Sequence, residues 1–239
     1  MMRWDIINFL IRKHQYKSFL EIGYYKGWSF DRIECKSKYA VDPNPCKFPY
    51  QEQMPKGEML TSYPTEDTSK EFIINKTTSD EYFRELPDYV KFDLVFIDGL
   101  HEAQQVDRDI RNALKHLSPS GTIVIHDCSP SSYEMTTTGT ASGEWTGDVY
   151  KSFIDFKWSP ENEKEYSCYV IDTDYGVGII HKANKIWQMT RMNPLPSFLT
   201  DKQYYSFPVF NDHRKYLLHL ITPNDFLFID NTRRTAYNG

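Results

Sequence analysis

The chain has no excess of basic residues. Its 239 residues carry 28 Lys and Arg against 33 Asp and Glu, a formal net charge of −5, and no basic block offsets that balance. Affinity for a phosphate backbone rests on clustered cations, so nucleic acid is not an expected partner. Cysteine is sparse as well: the four thiols, Cys35, Cys46, Cys128 and Cys168, never approach C-x-x-C spacing. That argues against a zinc site or a disulfide framework and suits a reducing, cytoplasmic setting. Long apolar runs are also missing. A helix that crosses a bilayer needs about 20 apolar residues, whereas the opening stretch already sets Asp5 and Asn8 among its apolar side chains. It reads as an amphipathic helix, and no membrane association is expected. What remains is 40% hydrophobic and 26% charged, the balance of one sizeable globular domain with an appendage.

One further absence is more pointed. The glycine loop that seats a dinucleotide pyrophosphate, G-x-G-x-x-G, does not occur, which disfavours a nicotinamide-dependent oxidoreductase. In its place stands Phe19-Leu20-Glu21-Ile22-Gly23-Tyr24-Tyr25-Lys26-Gly27, an apolar run entering an acid and then a turn bounded by two glycines. Gly23 and Gly27 leave the backbone bare where a ligand presses against it, and glycine accepts the positive φ that such turns often require. Glu21 would repel phosphate and favours an ammonium or sulfonium charge. S-adenosylmethionine (SAM) is such a ligand, with Glu21 and Gly23 at its methionine end and Gly27 allowing close packing of a following helix. Nineteen residues beyond Gly23, Asp42 ends a second apolar run, near the ~20-residue offset at which related folds grip ribose hydroxyls. Asp42 is the expected ribose ligand, although Asp42-Pro43-Asn44-Pro45 also has the composition of a plain polar turn.

Short apolar runs then alternate with polar or helical stretches, as in a mostly parallel sheet covered on both faces. Strands are expected near 18–22, 38–42, 72–75, 93–98 and 121–126. The run from Leu94 to Ile97 is continuously apolar, the pattern of a central strand, and it closes on Asp98. Val106, Ile110, Ala113, Leu114 and Leu117 recur at helical spacing, and Ser118-Pro119-Ser120-Gly121 reads as a stop. A helix is expected over 148–156, after a Ser, Thr and Gly-rich loop over 129–143 that is placed to act as a lid. The runs Tyr166 to Asp172 and Gly176 to His181 stand three residues apart, too close for a parallel crossover, so they pair as a hairpin. The expected fold is a Rossmann-like, doubly wound, mostly parallel seven-stranded α/β sheet with an antiparallel last strand, in a domain over 1–185. Residues 186–239 form a C-terminal extension that packs on the core or on a partner subunit, the latter making a homo-oligomer.

In chain order, the stretch from Phe19 to Gly27, Asp42, Thr77-Thr78-Ser79-Asp80 and the run from Phe92 to Asp98 resemble the motifs of class I SAM-dependent methyltransferases over about residues 15–185. More narrowly, Ile97-Asp98-Gly99-Leu100-His101 and Ile125-His126-Asp127 look like the metal-assisted sugar and macrolide O-methyltransferase branch. The resemblance implies SAM as cofactor, with Ser79 on its adenine side and Asp98 against it, and a small hydroxylated acceptor such as a sugar or glycosylated metabolite. It also implies Asp98 and Asp127 as ligands of a divalent metal, with His126 where that branch usually holds a carboxylate. Magnesium prefers oxygen ligands, so an imidazole there points to manganese, iron or nickel, a water-bridged magnesium, or no metal. His101 is the expected general base, since a histidine accepts a proton near neutral pH; its other reading is to shield a helix start. Asp148 assists that base, holds a substrate hydroxyl, or caps the helix it precedes. The alternative to a transferase is a scaffold of the same fold that binds SAM without transferring from it.

Overall fold

The computed structural model describes residues 1–45, 59–61, 71–137, 144–182 and 196–232. Cys46, the 138–143 part of the expected lid, and Trp187 and Pro194 of the extension lie outside them. Helix α1 (Arg3–His14) buries Ile6, Ile7 and Leu10 and exposes Arg12. There follow β1 (Ser18–Ile22), β2 (Ser37–Val41), β3 (Met59–Thr61), β4 (Glu71–Asn75), α2 (Ser79–Glu85), β5 (Phe92–Ile97), α3 (Ala103–Lys115) and β6 (Leu117–Ile125). The second half contains α4 (Val149–Trp158), the short α5 (Asn162–Glu165), β7 (Tyr166–Ile171), β8 (Val177–Lys182), the short α6 (Ser197–Thr200), α7 (Phe207–Leu218), β9 (Leu220–Ile221) and α8 (Pro223–Thr232). Among the described residues, no helix is long and apolar enough to cross a membrane.

The seven expected strands stand in the order β4-β2-β1-β5-β6-β8-β7. The strands from β4 to β6 run parallel, and β8 runs antiparallel to both of its neighbours. Two strands too short to be legible, β3 and β9, extend this sheet to nine. β5 explains the layering: Leu94 and Phe96 pack with α1 on one face, while Val95 and Ile97 pack with α3 on the other. All four are buried, so a continuous apolar run is what this position requires.

Two local expectations give way. The turn after β1 does not enter an α-helix but winds through turns to a single 3-10 turn at Phe30–Arg32. Positive φ at Gly23, Tyr25 and Gly27 breaks any helical run. Phe30 anchors the segment instead, with its ring centroid 5.4 Å from Tyr24, 6.2 Å from Phe72 and 6.3 Å from Phe19. Those rings join one core cluster with Ile6, Ile7 and Leu10 of α1, which packs on that face of the sheet. Likewise, Ser118-Pro119-Ser120-Gly121 lies inside β6 rather than before it, opposite a register shift between Phe92 and Leu94. Proline is tolerated there because the ladder is already irregular.

Strand order reverses between β1 and β5, since the chain winds from β1 toward β2 and from β5 toward β6. At such a switch point the loops leave in opposite directions and a crevice opens past the carboxyl ends of the strands.

Candidate functional site

A cavity of about 690 Å³ fills this crevice. Of the residues singled out in the sequence, Glu21, Gly23, Asp42, Ser79, Asp98, His101, His126 and Asp127 line it, whereas Gly27 and Asp148 do not. Gly23 has φ +95°, and a Cβ there would stand 2.1 Å from the Asp98 carbonyl oxygen, so only glycine lets β1 and β5 close this far. Gly27 has φ +73° and donates its N–H to the Tyr24 carbonyl at 2.7 Å, closing a turn and not a helix. Asp42 satisfies the local turn with both oxygens, Oδ2 accepting from the Tyr25 N–H at 2.7 Å and Oδ1 from the Asn44 N–H at 2.6 Å.

Glu21 is 2% exposed, and its Oε2 has no hydrogen-bond partner among the described residues. Burial, with the Asp98 charge adding to it, pushes its carboxyl well above the usual range. On the Ser79 side, the Gln105 amide donates to Ser79 Oγ at 3.2 Å and to Asp109 Oδ1 at 3.1 Å. Asp109 also lines the cavity, and burial raises its pKa to about 6.

The β5 and β6 edge gathers charge. His101 Nε2 lies 3.3 Å from Asp127 Oδ2 and 3.5 Å from Asp98 Oδ1. Its Nδ1 donates to the Trp145 carbonyl at 3.1 Å, and the two rings stand 4.9 Å apart. Burial disfavours the charged ring, but the bond to Asp98 and the two carboxylate charges outweigh it and raise the His101 pKa. Gly147 permits this seating: at φ +58°, its Cβ would fall 1.8 Å from the His101 carbonyl oxygen. Asp127 holds its place with a left-handed backbone, φ +62°, a strain of about 1–3 kcal/mol of the kind that collects at functional sites.

His126 is 6% exposed and bridges carboxylates, with Nδ1 3.1 Å from Asp98 Oδ1 and 3.2 Å from Asp127 Oδ1. Its Nε2 lies 3.5 Å from Asp174 Oδ1. Burial opposes its charge, yet Asp98 and Asp127 hold its pKa well above the ordinary histidine value. In turn the His126 charge and the bonds from both histidines overcome burial and lower the Asp98 carboxyl. Among the described residues, the donor atoms that gather with metal-holding geometry are those of Asp98, His101 and Asp127, all within 4.8 Å of one another. His101 thus takes the place expected of His126, whose nitrogens both face neighbouring carboxylates.

Asp148 is the other departure. Its Oδ1 accepts the Ala103 N–H at 2.6 Å and its Oδ2 the Lys151 ammonium at 3.2 Å. It therefore caps α3 across space, while making no side-chain cap on α4, the helix it precedes.

Four residues of the cavity and its charged rim escaped the sequence reading. Arg3, the first residue of α1, donates Nε to Ser29 Oγ at 2.9 Å and Nη1 to Asp174 Oδ2 at 3.0 Å. Asp174 and Tyr175 occupy the hairpin turn with φ +48° and +59°, the positive pair that a tight, right-twisted hairpin needs. Nothing in sequence links positions 171 residues apart. Asp109 did leave a signal, since it shares the spacing of Val106 and Ile110 on the buried stripe of α3, where a lone acid calls for a reason.

Residues 20–128 match a family model described as a methyltransferase domain. This stretch of the chain is similar to a methyltransferase domain, and the resemblance read from the motifs holds to that extent. No protein with a curated description matches it. Among solved structures, an O-methyltransferase from Bacillus cereus in complex with S-adenosylhomocysteine (SAH) is 12% identical over 76% of this chain and 80% of its own, with a TM-score of 0.50. The SAH-bound methyltransferase PaMTH1 from Podospora anserina is 15% identical over 76% and 78%, also with a TM-score of 0.50. At these identities the likeness is one of fold.

Proposed function

We propose that the chain transfers a methyl group from SAM to a hydroxyl of a small acceptor such as a sugar or glycosylated metabolite, with His101 as the general base. The observation that carries this reading is the buried, unpartnered Glu21 Oε2 in the same cavity as His101. SAM suits the residues present. Glu21 answers its ammonium, the missing Cβ of Gly23 leaves room for it, and each Asp42 oxygen keeps a second lone pair for a ribose hydroxyl. Ser79 lies on the adenine side.

When bound, SAM supplies an electrophilic methyl group on a sulfonium. The protein's part is to orient the acceptor oxygen and take its proton. Because the Trp145 carbonyl can only accept, Nδ1 keeps its hydrogen when His101 is neutral, so it is loss of the Nε2 proton that exposes the lone pair. Nε2 takes the hydroxyl proton. The imidazolium so formed stands beside the Asp98 and Asp127 carboxylates, which stabilise it without themselves becoming protonated.

A divalent metal held by Asp98, His101 and Asp127 is the second reading, favoured by their clustered donors. Two carboxylates and an imidazole suit manganese better than magnesium. His101 cannot be ligand and base together, and the cationic Arg3 and His126 already face these carboxylates, so the base reading leads. Calorimetry with SAH is the first test: binding to the intact protein supports the cofactor reading, and its absence removes it. A panel of sugars and glycosides assayed for SAH release then tests transfer. Turnover that survives chelation supports the base, whereas turnover lost on chelation and restored by manganese selects the metal.

A further inference from the structure

The amino-acid end of SAM is a zwitterion, and Glu21 answers only half of it. Arg3 lines the same cavity with its side chain 14% exposed. Two of its guanidinium nitrogens are fixed, Nε by Ser29 Oγ at 2.9 Å and Nη1 by Asp174 at 3.0 and 3.2 Å. The Arg3 backbone N–H also donates to Asp174 Oδ2 at 2.8 Å, so both ends of the residue are tied to the hairpin turn. Nη2 makes no hydrogen bond among the described residues. The Arg3 charge also reaches Glu21, where it favours the ionised carboxylate. A guanidinium with a free N–H pair in the same cavity as an unpartnered carboxyl offers one ligand two groups of opposite polarity.

We propose that Arg3 receives the α-carboxylate of the bound cofactor, so that Glu21 and Arg3 together clamp an amino-acid zwitterion. The inference rests on the cofactor reading above and adds a determinant from α1, outside the span that matches the methyltransferase-domain model. A guanidinium held at two of its nitrogens is pre-organised, so little side-chain freedom is lost when the third engages a carboxylate. The lysine on the cavity wall, Lys26, stands 5.1 Å from the Tyr25 ring centroid and 5.7 Å from that of Trp28. Both rings are more than half exposed, which places Lys26 at the rim.

The test compares two ligands by calorimetry: SAH, and its decarboxylated analogue, which keeps the adenosyl group, the thioether and the amine. The wild-type protein binds SAH at least about tenfold more tightly than the analogue, as expected for a hydrogen-bonded charge pair. Arg3→Gln erases that preference by weakening SAH while leaving the analogue within about twofold. Arg3→Lys, which keeps the charge but not the fork, retains part of it, and Lys26→Gln retains all of it. Equal loss of both ligands in Arg3→Gln, with no change of preference in Arg3→Lys, overturns the inference and leaves Arg3 as an anchor of α1. A preference that vanishes in Lys26→Gln and survives in Arg3→Lys also overturns it. If the wild-type protein binds SAH without preferring it, the clamp is refuted and the cofactor reading stands; if neither ligand binds, both fall.

Discussion

The two sides of the cavity differ in how their polar groups are satisfied. On the side of β1 and α3, Glu21 Oε2 is buried without a partner and Asp109 is pushed toward its neutral form by burial. On the side of β5, β6 and the hairpin, the carboxylates of Asp98, Asp127 and Asp174 lie within 3.5 Å of nitrogens from His101, His126 or Arg3. Burying a polar group without compensation costs a few kcal/mol, and the cost is relieved when a partner arrives. On the proposed reading, the first side is completed by the cofactor. The second is assembled beforehand, with charge already placed where the proposed base would become an imidazolium, and electrostatic catalysis needs that preorganisation.

The largest expected effect separates chemistry from binding. His101→Ala should lower methyl transfer by about 10²–10⁴-fold, while SAH titrated into the variant binds within about twofold of wild type. A parallel collapse of SAH affinity would mean that the two sides are one unit. Next comes Asp109. Its folded pKa of about 6 lies above its ordinary value of 3.8, so the neutral carboxyl favours folding, and stability is lost as pH rises through that window. The loss amounts to about 3 kcal/mol by linkage. Asp109→Asn should remove this slope, which denaturant titrations at pH 4 and pH 7 would read out. A slope unchanged in the variant assigns the pH dependence elsewhere.

Asp42→Ala should weaken SAH about tenfold, the scale of hydrogen bonds to a charged group, with the transfer rate at saturating SAM nearly kept. Should the rate fall and affinity stay, Asp42 belongs functionally to the pre-assembled side. The smallest effect falls outside the cavity. Asp148→Ala should cost about 1 kcal/mol of stability, as expected for a lost helix cap, and leave SAH affinity as it was. A rate loss beyond tenfold in a folded Asp148→Ala protein would restore that carboxylate to the chemistry.

Much of the ligand-completed side was legible in the sequence because its parts are local. Glu21 and Gly23 belong to one turn, Asp42 closes one strand, and Ser79 opens one helix, so spacing alone orders them. The pre-assembled side was half legible. Asp98, His101, His126 and Asp127 sit at strand ends that periodicity locates, but which imidazole turns toward which carboxylate depends on backbone angles such as the left-handed Asp127. Arg3 and Asp174 were invisible, since their pairing spans 171 residues and neither carries a motif. Asp148 was misplaced for a related reason: an acid before a helix suggests a cap on that helix, and here the cap crosses to another. The missing helix after β1 shows the limit of analogy, because aromatic packing around Phe30 did the work that a helix was expected to do.

β9 has a consequence for the nascent polypeptide. Among the described residues, only Leu220 and Ile221 cover the outer edge of β7, and they follow it in the chain, so during synthesis that edge stays bare until they emerge. A bare, apolar strand edge invites pairing with a neighbouring chain. The two-residue strand β9 is thus a closure against intermolecular association, delivered after the strand that it covers.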